Sequence, residues 1–187
     1  MNRLHQWLCA SKLWSRAVEQ HYLPWALEGA VLGDDVLEIG PGYGATTRVL
    51  ARGSHALTAI ELDAQLATRV RGELGARVRV VVGDGARLPF DAGSFSAVVC
   101  FTMLHHVASS ALQDQLFREA RRVLRPGGVF AGADSLSSLG FRLLHVHDTM
   151  NIVDPAALPA RLETAGFSAV HVELSRQGAF KFRALAE

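Results

Sequence analysis

From residue 36 onward the chain alternates short β-like runs with helical stretches, and this alternation restricts the fold more than any other feature. The runs are VLEI (36–39), ALTAIE (56–61), VRVVV (78–82), FSAVVCF (95–101), GVFAGAD (128–134), FSAVHVEL (167–174) and AFKFRAL (179–185). Helical stretches are predicted near 44–52, 63–74 and 110–124. Regular alternation of strand and helix implies a parallel sheet covered by helices on both faces. The last two runs are separated only by SRQGA, with Gly178 at the turn, so the sheet is expected to end in an antiparallel hairpin.

Ahead of the alternation, residues 2–28 read as helical. Leu4, Trp7, Leu8, Ser11, Trp14 and Val18 share one face, with Arg3, Lys12 and Arg16 mostly off it. Pro24 predicts a break followed by a second short helix. The segment 28-EGAVLGDD-35 is the one candidate linker, which suggests a helical cap over residues 1–30 and a larger domain over 31–187. With 49% hydrophobic and 20% charged residues the chain can bury a sizeable core. Its net charge of +1 argues against a general nucleic-acid binder. Cys9 and Cys100 form no disulfide framework and no CxxC pair, which suits a reducing cytoplasm. No run is long enough to span a bilayer, and MNRLHQWLCASK has too short an apolar core for a signal peptide.

The chemistry is expected at the carboxyl ends of the first strands. Gly40, Gly42 and Gly44 follow VLEI, where backbone without side chains can turn tightly and meet a ligand. Glu61 ends the second strand and suits a pair of ribose hydroxyls; Asp84 follows the third and suits an adenine amine. All three positions lie on the edge where open α/β sheets bind ligands, in the order an adenosine ligand needs. The stretch from Gly40 to Ala45 also satisfies the loose GxGxxA dinucleotide fingerprint, so a nicotinamide-dependent oxidoreductase is an alternative. Against it, the chain has no YxxxK pair and no second domain to supply a hydride acceptor site.

Taken together, ExGxGxG at 38–44, ELD at 61–63, GDGARLPF at 83–90, FSAVVCFTMLHHV at 95–107 and LRPGGVF at 124–130 resemble the successive motifs of class I S-adenosylmethionine-dependent methyltransferases. The nearest subgroup is the broad small-molecule, type 11-like one. The resemblance implies a Rossmann-like doubly wound seven-stranded sheet with its last strand antiparallel. It also implies S-adenosyl-L-methionine as cofactor. The backbone of Gly40, Gly42 and Gly44 would approach the methionyl part and ribose, and Glu38 would order the loop. Glu61 would bind ribose, Leu62 would pack on adenine, and Asp84 would contact the adenine amine beside Gly85 and Ala86. Phe101 would offer its carbonyl to the methionyl ammonium.

Several residues remain with open roles. His105 and His106, just past the fourth strand, are candidates for a general base. His145 and His147, with Asp148, form an HxHD cluster where this family often contacts substrate; no metal is assigned to it. Arg118, Arg121, Arg122 and Arg125 read as the wet face of a helix. The tryptophan-bearing N-terminal helix reads as a lid, with Tyr22 a candidate contact to the cofactor carboxylate; an interfacial helix is the alternative. The end of the fourth strand, FTMLHH, lacks the (D/N)PP(Y/F) signature of amino-methylating enzymes and the acids that hold magnesium in catechol-type ones. What remains is metal-independent methyl transfer to O, N, S or C of a small molecule. A non-catalytic cofactor-binding module is the other alternative. Neither stable membrane insertion nor nucleic-acid binding is expected, and oligomeric state is not legible.

Overall fold

The computed structural model describes residues 7, 10–53, 56–137 and 150–187. Its strands are β1 (Asp35–Ile39), β2 (Ala56–Glu61), β3 (Val78–Val82), β4 (Phe95–Phe101), β5 (Leu124–Ser135), β6 (Phe167–Leu174) and β7 (Ala179–Ala186). They form one sheet of order β3-β2-β1-β4-β5-β7-β6. Pairings from β3 through β5 are parallel, and β7 runs antiparallel to both β5 and β6. This is the Rossmann-like doubly wound sheet with a reversed last strand. Chain order reverses at β1, which pairs with β2 on one side and β4 on the other. Such a switch point opens a crevice at the strand ends.

Alternate residues of each strand divide between two apolar layers, as a two-residue side-chain period requires. Leu37, Ile39, Val98, Cys100 and Phe130 point into one layer. Helices α5 (Ser110–Val123) and α6 (Leu158–Thr164) close that layer with Leu116, Phe117, Ala120, Leu158 and Leu162. Val36, Ala97, Val99, Ala131 and Ala133 point into the other. There they meet α3 (Ala45–Leu50), α4 (Ala64–Leu74) and the N-terminal helical segment through Val18, Leu23 and Ala26. Phe130, fully buried, packs its ring on Phe117, Phe167 and Phe182 at centroid distances of 6.0, 5.3 and 5.0 Å. Side-chain caps start the longer helices: Asp63 accepts from the amides of Gln65 and Leu66 at α4, and Ser109 from that of Leu112 at α5.

Two sequence expectations are corrected. The break at Pro24 is absent. Helix α1 (Lys12–Ala17) passes through a π-helical turn, Val18–Tyr22, directly into α2 (Leu23–Ala26). Proline has no N–H to donate, but in the first turn of a helix none is required, and the wider π turn carries the chain up to it. The arginines of α5 are not simply a wet face. Arg122 donates to the carbonyls of Phe90 and Leu88 and pairs with Glu119 at 2.8 Å. Arg121 donates to the carbonyl of Gly166, so these two side chains staple loops to the helix, while Arg125, already in β5, pairs with Asp35 at the start of β1 at 2.5 Å. Among the described residues, no helix is long and apolar enough to cross a membrane.

Candidate active site

The first strand delivers the chain to a turn built on positive backbone angles. Gly40 (φ 70°) keeps the sheet pairing one residue further by donating to the carbonyl of Ile60 at 2.9 Å. A side chain there would also meet Met103, since a Cβ would lie 3.0 Å from it. Gly42 (φ 54°) differs, because a Cβ would meet nothing within 4 Å: the space above that backbone is open. A ligand can therefore approach the main chain of this turn.

Carboxylates surround the turn in three settings. Glu61 is buried, with Oε2 accepting from the amide of Gly42 at 2.9 Å and Oε1 from that of Asp63 at 3.0 Å. Each oxygen keeps a further lone pair for a ligand hydroxyl. Asp84 is exposed, its Oδ1 accepting from the amide of Ala86 at 2.8 Å in a local turn after β3. Glu38 lies beneath the turn at 1% exposure, accepting from the Thr46 hydroxyl through Oε1, while Oε2 is buried with no hydrogen-bond partner. Burial, helped by the charge of Glu61, pushes its carboxyl up to about 7 against the opposing pull of the Thr46 and Thr47 hydroxyls.

These elements open on one cavity of about 1010 Å³. Of the described residues expected to touch cofactor or act as base, all line it except Glu38, Gly44 and Tyr22. Glu38 supports it from below, and Gly44 (φ 75°) caps α3. Leu62, an apolar side chain left 71% exposed, stands at the rim. Tyr22 stands behind the cavity wall: its hydroxyl donates to the carbonyl of Ala133 at 3.0 Å, and its ring meets Phe101 edge-on at 6.4 Å. Burial, with the charge of Asp134 adding to it, holds its hydroxyl protonated well past the ordinary range. Trp14, about two helical turns before it, is the aromatic of the N-terminal segment that reaches the cavity. His145 and His147 lie outside the described residues.

The far wall is a strained corner. Thr102, a β-branched residue, sits at φ 49° and donates to the carbonyl of Ala133 at 2.9 Å. Such an angle is rare for this side-chain type and is held by surrounding structure. It turns the chain into the 3₁₀ turn Leu104–His106. His105 is the inward member of the pair, 2% exposed; His106 is half-buried, its ring centred 4.1 Å away. The carboxylate that His105 meets is Asp134, near the end of β5. Nδ1 of the ring lies 2.6 Å from Oδ1, and the His105 amide donates to Oδ2 at 3.0 Å. Reading from sequence missed Asp134. The strand-end rule that found Glu61 and Asp84 would have found it, because GVFAGAD also closes on an acid.

A family model described as "Methyltransferase domain" matches residues 37–132, just over half of the 187 residues. The chain belongs to that family. The chain is 35% identical over 104 residues to the probable ribosomal RNA small subunit methyltransferase A of Pyrobaculum aerophilum, covering 51% of this chain and 46% of that protein. It is likewise 35% identical over 104 residues to the demethylmenaquinone methyltransferase of Tropheryma whipplei, covering 54% and 41% respectively. The match spans less than half the length of either relative. Among solved structures, a protein from Pyrococcus horikoshii OT3 superposes with a TM-score of 0.85 at 14% identity, covering 100% of both chains. A SAM-dependent methyltransferase from Aquifex aeolicus gives 0.78 at 15% identity, again over 100% of both.

The family match agrees with the methyltransferase resemblance, and the solved structures agree with its Rossmann-like fold. The residues present fit S-adenosylmethionine on their own terms. Open space lies over the Gly42 backbone, an exposed apolar side chain and two strand-tip carboxylates flank it, and a buried carboxyl oxygen without a partner lies beneath.

Proposed function

We propose that this methyltransferase moves the methyl group of S-adenosylmethionine to a small, apolar or aromatic acceptor without help from a metal. The observation that carries this reading is the division of the cavity wall. Glu61, Asp63 and Asp84 line one side, Met103, Val107 and Leu112 the other, and no lysine or arginine lines it among the described residues. A wall of that kind suits an adenosyl cation beside a neutral acceptor, whereas a nucleic acid needs cations near its phosphates.

When bound, the cofactor supplies a methyl group already activated on a sulfonium. The chain then has to bind, align and keep out water. In this reading Glu61 holds the ribose hydroxyls, Leu62 covers adenine and Asp84 takes its amine beside Gly85 and Ala86. Gly40, Gly42 and Gly44 leave the main chain bare for the methionyl part, and the Phe101 carbonyl faces its ammonium. Residues 1–30 act as a cap, with Trp14 reaching the cavity from it. His105 and His106 are the candidate bases, His105 with the Asp134 carboxylate behind its ring. A cytoplasmic location accompanies the reading, in keeping with a free, buried Cys100 thiol.

The identity to a probable ribosomal RNA methyltransferase supports a second reading in which the acceptor is RNA. One experiment separates the two. Thermal melting of the full chain with S-adenosylmethionine, S-adenosylhomocysteine and NAD should show stabilisation by the first two alone. A ligand at a hundred times its Kd adds about 2.7 kcal/mol. S-adenosylhomocysteine release is then followed with small aromatic acceptors and with small-subunit ribosomal RNA. Release with RNA alone would discard the small-molecule reading.

A further inference from the structure

Resting on the reading of the glycine turn as the cofactor's seat, we infer that Arg48 is a positioning residue which couples cofactor binding to the docking of helix α1. Its guanidinium reaches three segments of the chain. Nη1 donates to the carbonyl of Tyr43 at 3.2 Å and to Oε2 of Glu73 at 2.8 Å. Nη2 donates to the hydroxyl oxygen of Ser15 at 3.3 Å. Tyr43 stands between Gly42 and Gly44 in the turn, Glu73 belongs to α4 and Ser15 to α1. Arg48 itself is carried by α3, the helix into which the turn leads.

The three contacts differ in what they hold. The pair with Glu73 joins two helices at the surface, with side chains 29% and 40% exposed, and such a pair adds little. The contact with Tyr43 reaches the main chain against which the methionyl part is proposed to lie. The contact with Ser15 matters because α1 has little else to hold it. None of Lys12–Ala17 is buried, and Leu13 is 76% exposed. Among the described residues, this is the one hydrogen bond from α1 to the sheet and its covering helices. The buried Val18, Leu23 and Ala26 anchor the segment further along, so α1 can lift while the rest stays docked.

Helix α1 also brings Trp14 to the cavity. Arginine's planar fork offers donors on separate nitrogens, so one side chain serves the turn and α1 together; lysine has a single nitrogen. A ligand that steadies the turn steadies the Tyr43 carbonyl and the guanidinium bonded to it. The second nitrogen then holds Ser15, and with it Trp14 at the cavity wall. Linkage makes the coupling reciprocal: docked α1 tightens cofactor binding by the factor with which cofactor favours docking.

The test follows amide exchange across residues 12–17 of the full chain, with and without S-adenosylhomocysteine, beside calorimetric titration of that ligand. In the wild type the ligand should slow this exchange about fivefold or more. R48M keeps the apolar stem and loses every donor. The slowing should shrink to within about twofold, and Kd should rise about five- to tenfold. S15A cuts only the arm to α1; it should also abolish the slowing and raise Kd about threefold, yet change neither when added to R48M. R48K should not restore the coupling, and E73Q should leave both readouts as in the wild type. Slowing retained in R48M or S15A, lost equally in E73Q, or additive effects of R48M and S15A on Kd would each overturn the link. Should R48M fail to fold, S15A decides alone, since it removes one oxygen from a helix with no buried residue. Binding without slowing in the wild type would overturn this inference and leave the cofactor reading standing. Absence of binding would overturn the cofactor reading and the inference with it.

Discussion

The amide of Gly42 donates to Oε2 of Glu61 at 2.9 Å, which makes the glycine turn and the tip of β2 one hydrogen-bonded unit. The same carboxylate is proposed to hold ribose. Glu61→Ala therefore removes a ligand acceptor and also frees the turn that the ligand lies against. Affinity for S-adenosylmethionine should fall by about 1–3 kcal/mol, the usual cost of losing a buried acceptor partner. Isothermal calorimetry reads this directly, and an unchanged Kd would remove Glu61 from the site.

Glu38 gives the fold a pH signature. Its folded pKa of about 7 lies above the ordinary 4.5, so between those values the native state holds a proton that the unfolded chain has lost. Stability from this group is full below about 4.5 and declines as pH rises towards about 7; above that the penalty is constant, at most about 3 kcal/mol. Glu38→Gln removes the charge. In urea unfolding, the variant should gain about 1–3 kcal/mol relative to wild type between pH 5 and pH 8. A difference that stays flat across that range would contradict the buried charge.

Tyr22 separates support from contact. Its hydroxyl is committed to the Ala133 carbonyl, so Tyr22→Phe should cost about 0.5–1.5 kcal/mol of stability. Affinity for S-adenosylmethionine should stay within about twofold. A tenfold loss of affinity with unchanged stability would restore Tyr22 as a cofactor contact.

Phe130 tests the layer beneath the far half of the sheet. Fully buried among three other phenylalanine rings, it should cost about 3–5 kcal/mol when cut to alanine. Chemical denaturation of Phe130→Ala giving less than about 1 kcal/mol would mean the cavity had collapsed around the change.

The strands were legible because their apolar runs are short and bounded by turn residues; β2, β3, β4 and β6 fall where the sequence places them. Glu61, the last residue of β2, and Asp84, two residues past the end of β3, were legible for the same reason, since the strand fixes where its end delivers the chain. Helix α6 was not read. Seven residues bury only Leu158 and Leu162, too few repeats to show a period. The continuity of the N-terminal segment through a π turn was also hidden, because a proline signals a boundary whether the helix stops or merely changes pitch. Which histidine faces inward depended on Thr102, whose positive φ no rule for β-branched residues anticipates. Asp134 took its meaning only from the partner that this corner turned towards it.

The carbonyl of Ala133 receives two donors, the amide of Thr102 and the hydroxyl of Tyr22. One comes from the corner of the site and the other from the helical segment at the start of the chain, so undocking that segment strips a donor from the oxygen that holds the corner. Solvent exchange at a single amide, that of Thr102, should consequently follow the opening of a segment eighty residues earlier in the chain.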